Sequence, residues 1–421
     1  MSRLDDLLDT VEGYRDDMIK EMTAMLRIPA MGPENGGEGE YERAQFIEGL
    51  VRRCGFNEVQ RFDVPDERVE HKVRPSIIAR HRGASERTVW LVSHMDTVSP
   101  GDANAWIHPP FDGTVVDGKI YGRGSEDNGQ AVISTLFALR ALLGLGLEPT
   151  LSIGIAVVAD EEAGSEHGIK YLLQKGLFRQ DDIIYVPDSG SKDGSLVEVA
   201  EKTIIWLKFI VRGKQVHAST PEKGLNALRV GSELLVDVSK HLYGKYNAED
   251  DLFRPPRSTF EPTKRLVNVD NINTVPGEDV FFMDIRLLPR YDPQDCIDTA
   301  REIARIFEER TGAEIEVITQ RIDPAGEATP IDGEGAIMLR RAIRRVLQVE
   351  PVFAGIGGQT CANWFRLAGM EAYAWETIDG VAHQANEYAI IDNIVNDAKV
   401  FATLLVEMCY HDQFKEPCPD Y

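Results

Sequence analysis

"TVWLVSHMDTVSPG", residues 88–101, begins as a run of β-branched and apolar residues of the kind that fills a buried strand. It ends in His94 and Asp96 before breaking at Ser99-Pro100-Gly101. A core strand that delivers two polar side chains to its tip needs a reason. Taken alone, a histidine at a strand end is a hydrogen-bonded surface residue as readily as a ligand. The segments on either side bear on the choice.

Downstream, "GQAVISTLFALRALLGLG" (129–146) reads as a helix with Val132, Leu136, Leu139 and Leu143 on one face, and "LSIGIAVVAD" (151–160) as a strand apolar on both faces. "EHGIKYLLQKGL" (166–177) reads as a second helix and "DIIYVPD" (182–188) as a third strand. Continuous apolar strands separated by amphipathic helices predict an α/β fold with a mostly parallel, doubly wound sheet. Strand-like "PVFAGI" (351–356) and "MEAYAW" (370–375), then a helix at "DNIVNDAKVFATLLVEMCY" (392–410), resume that sheet.

Between these blocks the rhythm changes. Strands are expected at 203–213, 265–273 ("RLVNVDNIN"), 279–289 and 313–320, with helices at 225–242 and 293–312. That order is βαββαβ, the ferredoxin-like pattern. The expectation is a catalytic domain over 1–200 and 321–421 with a lid inserted at 201–320, in which "NAEDDLFRPPRS" (247–258) forms a surface loop.

Composition narrows the function. The 421 residues exceed what one hydrophobic core usually organises, and 43% hydrophobic with 27% charged residues is the balance of a soluble globular protein. The N-terminal stretch has apolar residues at helical spacing among acids and bases, without a signal core or membrane span, so a cytoplasmic protein is expected. With 46 Lys and Arg against 69 Asp and Glu, the net charge of −23 disfavours nucleic acid and anionic membrane as partners. Cys54, Cys296, Cys361, Cys409 and Cys418 are odd in number and lack paired spacing, which fits reduced thiols. A metal here would need other ligands.

In doubly wound sheets the site forms beyond the carboxyl ends of the parallel strands. The first strand carries His94 and Asp96 there, the second Glu161 and Glu162, and the third Asp188. The loop "GRGSEDNGQ" (122–130) presents Glu126 and Asp127 ahead of a helix, and "IDGVAHQANEYA" (378–389) offers His383. Each acid taken singly reads as a helix cap or a solvated carboxylate. Together on one sheet edge they would repel one another unless a cation sat among them. Imidazole plus carboxylate without cysteine is the ligand set of a hydrolytic zinc site, with manganese or cobalt as substitutes, and two ions use the set more fully than one.

The successive segments "SHMDTVSPG", "GRGSEDNGQ", "ADEEAGSEHG", "GKQVHASTPEKGLNAL", "NINTVPGEDVFFMDIRLLP" and "GVAHQANEY" resemble the signatures of the di-zinc aminoacylase, carboxypeptidase and dipeptidase family that includes succinyl-diaminopimelate desuccinylase and acetylornithine deacetylase. The resemblance runs in order from about His94 to Tyr388. It implies a metallopeptidase domain in which Asp127 bridges two divalent metal ions, His94 and Asp188 complete one site, and Glu162 and His383 complete the other. It further implies that Asp96 accepts a hydrogen bond from the His94 imidazole and that Glu161 is the general base toward a metal-bridging water. On chemistry alone Glu161 and Glu162 are interchangeable, and only the family's order separates them.

In the lid, the resemblance makes His217 an oxyanion donor that reaches a partner's active site across a homodimer contact. Without it, His217 would read as a structural histidine. Asn273 and Arg286 match positions that bind substrate polar groups, a guanidinium suiting a carboxylate. Gly357 and Gly358, in "GIGGQTCAN", match a glycine-rich loop near the substrate carboxylate. Asp188 departs from the glutamate usual in the desuccinylases and deacylases and matches the aminopeptidases and dipeptidases instead.

The expected activity is hydrolysis of the amide bond of a small peptide or N-acyl amino acid with a free carboxylate. A binding or regulatory protein of the same fold is the alternative, and it would differ at Glu161 and the five ligands, all of which are present. A nicotinamide-dependent oxidoreductase, suggested by "GRGSEDNG" before a helix, lacks the Gly-x-Gly-x-x-Gly spacing and places acids where a pyrophosphate would lie.

Overall fold

The computed structural model describes residues 2–56 and 58–414, so Cys418 lies outside the described residues. The chain divides into two compact units, Met1–Val199 with Thr329–Phe353 and Thr360–Tyr421, and Ala200–Ala328 with Ala354–Gln359.

The first unit is built on an eight-stranded sheet. Its spatial order is Glu58–Pro65, Val73–His81, Leu151–Val158, Ser85–His94, Ile183–Ser191, Glu371–Thr377, Leu196–Ala200 and Val352–Gly355. Ser85–His94 runs parallel to Leu151–Val158 and to Ile183–Ser191, which in turn runs parallel to Glu371–Thr377. Antiparallel pairs flank this centre, so the expected parallel sheet is the middle of a mixed one. Gly154 sits opposite Trp90, where a Cβ would come within 2.2 Å of the indole, and the missing side chain lets the ring lie in the core.

Helices cover both faces. Ile169–Gln174 and Cys361–Leu367 pack on the face formed by Trp90, Val92, Ala156 and Val186. Gln130–Leu143 and Ile391–Cys409 pack together on the other side of the sheet. The single apolar face expected for the first of these is replaced by burial all round, with only Arg140 and Leu143 less than buried, because helices as well as the sheet enclose it. Among the described residues no helix is long and apolar enough to cross a membrane.

The second unit has βαββαβ order. Its antiparallel sheet runs Thr259–Arg265, Glu278–Leu287, Thr203–Arg212, Glu314–Asp323, and the helices Ala227–Lys245 and Pro293–Thr311 share one core with it. Asp292 caps the second helix by accepting from Gln294 N, Pro293 takes the first helical position, and Gly312 ends it at φ 73°. One expected strand is displaced. Residues 266–273 are loop, with Val267 89% exposed, and the strand is Thr259–Arg265 instead. Its Pro262 stands beside a register shift on an edge strand, where a missing N–H is tolerated. The unit also runs past Gln320, since its last strand continues to Asp323 and Ala325 N then bonds Thr203 Oγ1 at 3.0 Å.

Candidate metal centre

One strand end, one strand interior and three loops bring the candidate ligands of the first unit together. The third strand does not end at Asp188 as expected but runs on to Ser191, with Asp188 at a register shift in its pairing with Glu371–Thr377. His94 ends its strand, buried, with Nε2 2.8 Å from Asp127 Oδ1 and 3.4 Å from Asp188 Oδ1. The other Asp127 oxygen lies 3.1 Å from His383 Nε2, which is also 3.1 Å from Glu162 Oε2. Two ligand groups result, His94–Asp127–Asp188 and Asp127–Glu162–His383, each with donor atoms within 4.8 Å of one another. Asp127 belongs to both.

This donor set fits divalent cations of the zinc type. Bonds of about 2.0–2.2 Å to a tetrahedral ion separate its ligand atoms by roughly 3.3 Å, close to the spacings found. Glu162 Oε1 is buried and has no hydrogen-bond partner among the described residues.

The surrounding residues fix these groups by backbone contacts. Asp96 accepts the amides of Glu161 and Glu162, each at 3.1 Å, so its carboxylate holds the loop that carries both glutamates. His94 Nδ1 lies 3.1 Å from the Asp96 carbonyl oxygen and 3.4 Å from its carboxylate. Asp160, at φ 66°, turns the chain into that loop, and its carboxylate accepts His167 N at 2.8 Å and Arg74 Nη1 at 3.1 Å. Asn128, which sequence reasoning missed, donates to Asp188 Oδ1 at 3.0 Å and accepts His94 N at 3.2 Å. It sits inside the quoted "GRGSEDNGQ" segment, but nothing local distinguishes an amide that joins two strands. At Gly124, φ 82° and a Cβ position 2.5 Å from Thr97 Cγ2 both require glycine at the start of the Asp127 turn.

The electrostatics are those of acids crowded out of water. Burial works against a charged His94, yet the Asp188 charge and bonds to Asp127, Asp188 and Asp96 hold its pKa well above the usual value. Burial, then the charge of Asp188, raises Glu161 well above the carboxylate range. Glu162 is pushed up to about 7, by burial and then by Asp127, and Asp188 to about 6 by burial. Asp127 is held low despite its burial by its bonds to His383 and His94. His383 is raised to about 10 by its bonds to Asp127 and Glu162. Cys361 is buried, and burial raises its thiol well above the usual range, which suits a packing residue.

The other candidates lie in the second unit. His217 is exposed, with Nδ1 2.7 Å from Ser219 Oγ. Its short strand pairs with Thr274–Val275, and Ala218 N donates to Asn273 O at 2.8 Å, so His217 and Asn273 are neighbours. Arg286 donates to Asp284 through Nε at 2.7 Å and Nη2 at 3.1 Å, and to Gly357 O through Nη1 at 3.0 Å. Gly357 and Gly358 thus belong with this unit rather than with the C-terminal part of the first. Ile356 N bonds Ala200 O at 2.9 Å, and Gln359 Nε2 bonds Lys202 O at 3.1 Å and Asp323 O at 3.0 Å.

Residues 90–407 match the model of peptidase family M20/M25/M40. The chain is 34% identical over 412 residues to a protein named an uncharacterized metallohydrolase from Methanococcus maripaludis, covering 93% of this chain and 99% of that one. It is 26% identical over 398 residues to succinyl-diaminopimelate desuccinylase of Phenylobacterium zucineum, covering 92% and 97%. Its fold is similar to that of human carnosine dipeptidase 1, with a TM-score of 0.77 at 19% identity, over 97% of this chain and 99% of the other.

Proposed function

Since the chain belongs to peptidase family M20/M25/M40 and is a metal-dependent hydrolase of peptide or amide bonds, we propose that it cleaves a small peptide or N-acyl amino acid bearing a free carboxylate. The observation that carries this reading is the Asp127 carboxylate, shared between two ligand groups on the sheet edge that also bears Glu161. Asp188, which matches the peptidase members rather than the desuccinylases, favours peptides.

His94, Asp127 and Asp188 would hold one divalent ion, and Asp127, Glu162 and His383 the second. Zinc is the first choice, with cobalt or manganese as substitutes. When bound, such a pair supplies an acidified water and a polarised substrate carbonyl. Glu161, half-buried beside the ligand groups, takes a proton from the attacking water and passes it to the departing nitrogen. Asp96 keeps that glutamate in place through its amide. His217 donates to the developing oxyanion. Arg286 spends three of its five N–H donors inside its own unit, leaving two for the substrate carboxylate next to the backbone of Gly357 and Gly358, while Asn273, beside His217, takes another polar group of the substrate.

We place His217 in a homodimer joined through the second unit, each copy serving the other. Val267 and Ile272, 89% and 104% exposed, lie in the loop leading to the strand that pairs with His217, and such residues gain from a covering partner. Free thiols at Cys54, Cys296, Cys361 and Cys409 support a cytoplasmic setting.

The test is hydrolysis by protein reconstituted with zinc, cobalt or manganese of a panel of dipeptides, tripeptides, N-succinyl-diaminopimelate and N-acetylornithine. Turnover of at least one class, abolished by chelation, is expected. No turnover of any substrate with any metal would sink the reading.

A further inference from the structure

Two buried glutamates outside both ligand groups each grip the loop on which the other stands. Glu126 precedes Asp127, and its carboxylate faces the segment that leads to His383. Its Oε1 accepts from Asp379 N at 2.6 Å and Gly380 N at 3.2 Å, and its Oε2 from Val381 N at 2.5 Å and Ala382 N at 2.9 Å. Glu387, four residues after His383, returns the grip. Its Oε1 accepts from Glu126 N at 3.0 Å and Asp127 N at 3.1 Å, and its Oε2 accepts from Gly124 N at 3.1 Å and pairs with Arg123. Glu126 is 4% exposed and Glu387 not at all.

The segments need this help. Between Thr377 and Tyr388 the chain has only turns and bends, and both His383 (φ 63°) and Asn386 (φ 64°) hold backbone angles that such residues seldom adopt. Apart from the clamp, the nearest regular anchor is the ladder of Tyr388–Ile390 with Lys119–Tyr121, extended by Gly122 N to Glu387 O at 3.0 Å. Buried carboxylates are tolerated when amide donors surround them, and the amides so engaged are fixed in direction. The result is a reciprocal lock between the loop of the shared ligand and the loop of a terminal one.

We propose that Glu126 and Glu387 are positioning residues that set the approach of His383 to Asp127 and thereby the second ion's site. The proposal rests on the two-ion reading above. Glu126 acts on the loop of His383, a ligand of the second group alone, so its loss weakens one ion. Glu387 acts on the loop of Asp127, a ligand of both, so its loss weakens two.

The test uses the full-length protein and the Glu126→Gln and Glu387→Gln variants. Glutamine keeps the shape but turns two acceptor sites into donors facing amide N–H groups. Stepwise cobalt titration, followed by the visible spectrum, should show the second dissociation constant of Glu126→Gln raised about 10–100-fold with the first unchanged. Hydrogen exchange on metal-free protein should be faster at residues 379–382 in Glu126→Gln, and at 124–127 in Glu387→Gln. A merely structural role would lower the melting temperature without favouring one ion. Unchanged constants, equal shifts of both in Glu126→Gln, or unaltered exchange at 379–382 would each overturn the proposal. Should Glu387→Gln fail to fold, with Arg123 left uncompensated, the Glu126 arm decides. A wild-type protein that takes up only one ion defeats the two-ion reading, and the exchange pattern alone then judges the lock.

Discussion

Asp127 Oδ2 lies 3.1 Å from His383 Nε2, although the two residues stand on loops far apart in the chain. Because Asp127 Oδ1 lies 2.8 Å from His94 Nε2, one carboxylate faces both histidines, one oxygen to each. This arrangement is what makes the two ligand groups a pair, and it sets the first expectation.

Removing Asp127 should cost both ions, while removing His383 should chiefly empty one. Elemental analysis of Asp127→Ala and His383→Ala after dialysis against a fixed zinc concentration measures this directly. Equal loss of a single ion in both variants would contradict a shared ligand.

Glu161 contributes no atom to either ligand group, so Glu161→Gln should retain metal at the wild-type level. Turnover should nevertheless fall by about 10²–10⁴, the loss typical of a general base. Kinetics paired with metal content checks it, and wild-type turnover would remove Glu161 from the chemistry.

His217 stands exposed in the second unit, and the reading gives it to a partner's site. His217→Ala should lower turnover by about 10²–10³ with metal content unaffected. Mixing it with Asp127→Ala should restore activity, since each mixed dimer holds one site with intact ligands and an intact incoming histidine. Verified exchange of chains without recovery would return His217 to a structural role.

Asp397 is fully buried beneath the site, with Oδ1 accepting Thr377 Oγ1 at 2.7 Å and Oδ2 accepting Thr377 N at 3.1 Å and Gln130 Nε2 at 2.9 Å. Burial outweighs those bonds and pushes its pKa up to about 7 from an ordinary 3.8. Between those values the native protein holds a proton that the unfolded chain releases, so unfolding free energy falls as pH rises from about 4 to about 7. At roughly 1.4 kcal/mol per unit the effect amounts to a few kcal/mol at most. Thermal melts of wild type and Asp397→Asn over this range should show the wild type losing ground to the variant as pH climbs. A pH-independent difference would mean that Asp397 does not titrate there.

Much of this protein was legible in its sequence. The apolar runs before His94, Glu161 and Asp188 reveal parallel core strands, because burial on both faces leaves a continuous signal, although the third strand runs on past Asp188 to Ser191. The βαββαβ order of the second unit was legible for the same reason, since period and length separate helix from strand. The order of the quoted segments named five candidate ligands, and the fold brings them into two groups. Other features depended on contacts that no local pattern records. Residues 267–273 have a strand's composition but no ladder partner among the described residues, whereas Thr259–Arg265 pairs despite Pro262 because it lies on an edge. The Gln130–Leu143 helix hides its polar-looking side because other helices pack there. Asp96 spends its carboxylate on two loop amides, and Glu126 and Glu387 spend theirs on each other's loops. Periodicity reports how deeply a residue is buried, but a buried carboxylate is placed by the donors that fold back around it, and only the tertiary structure decides which amides those are.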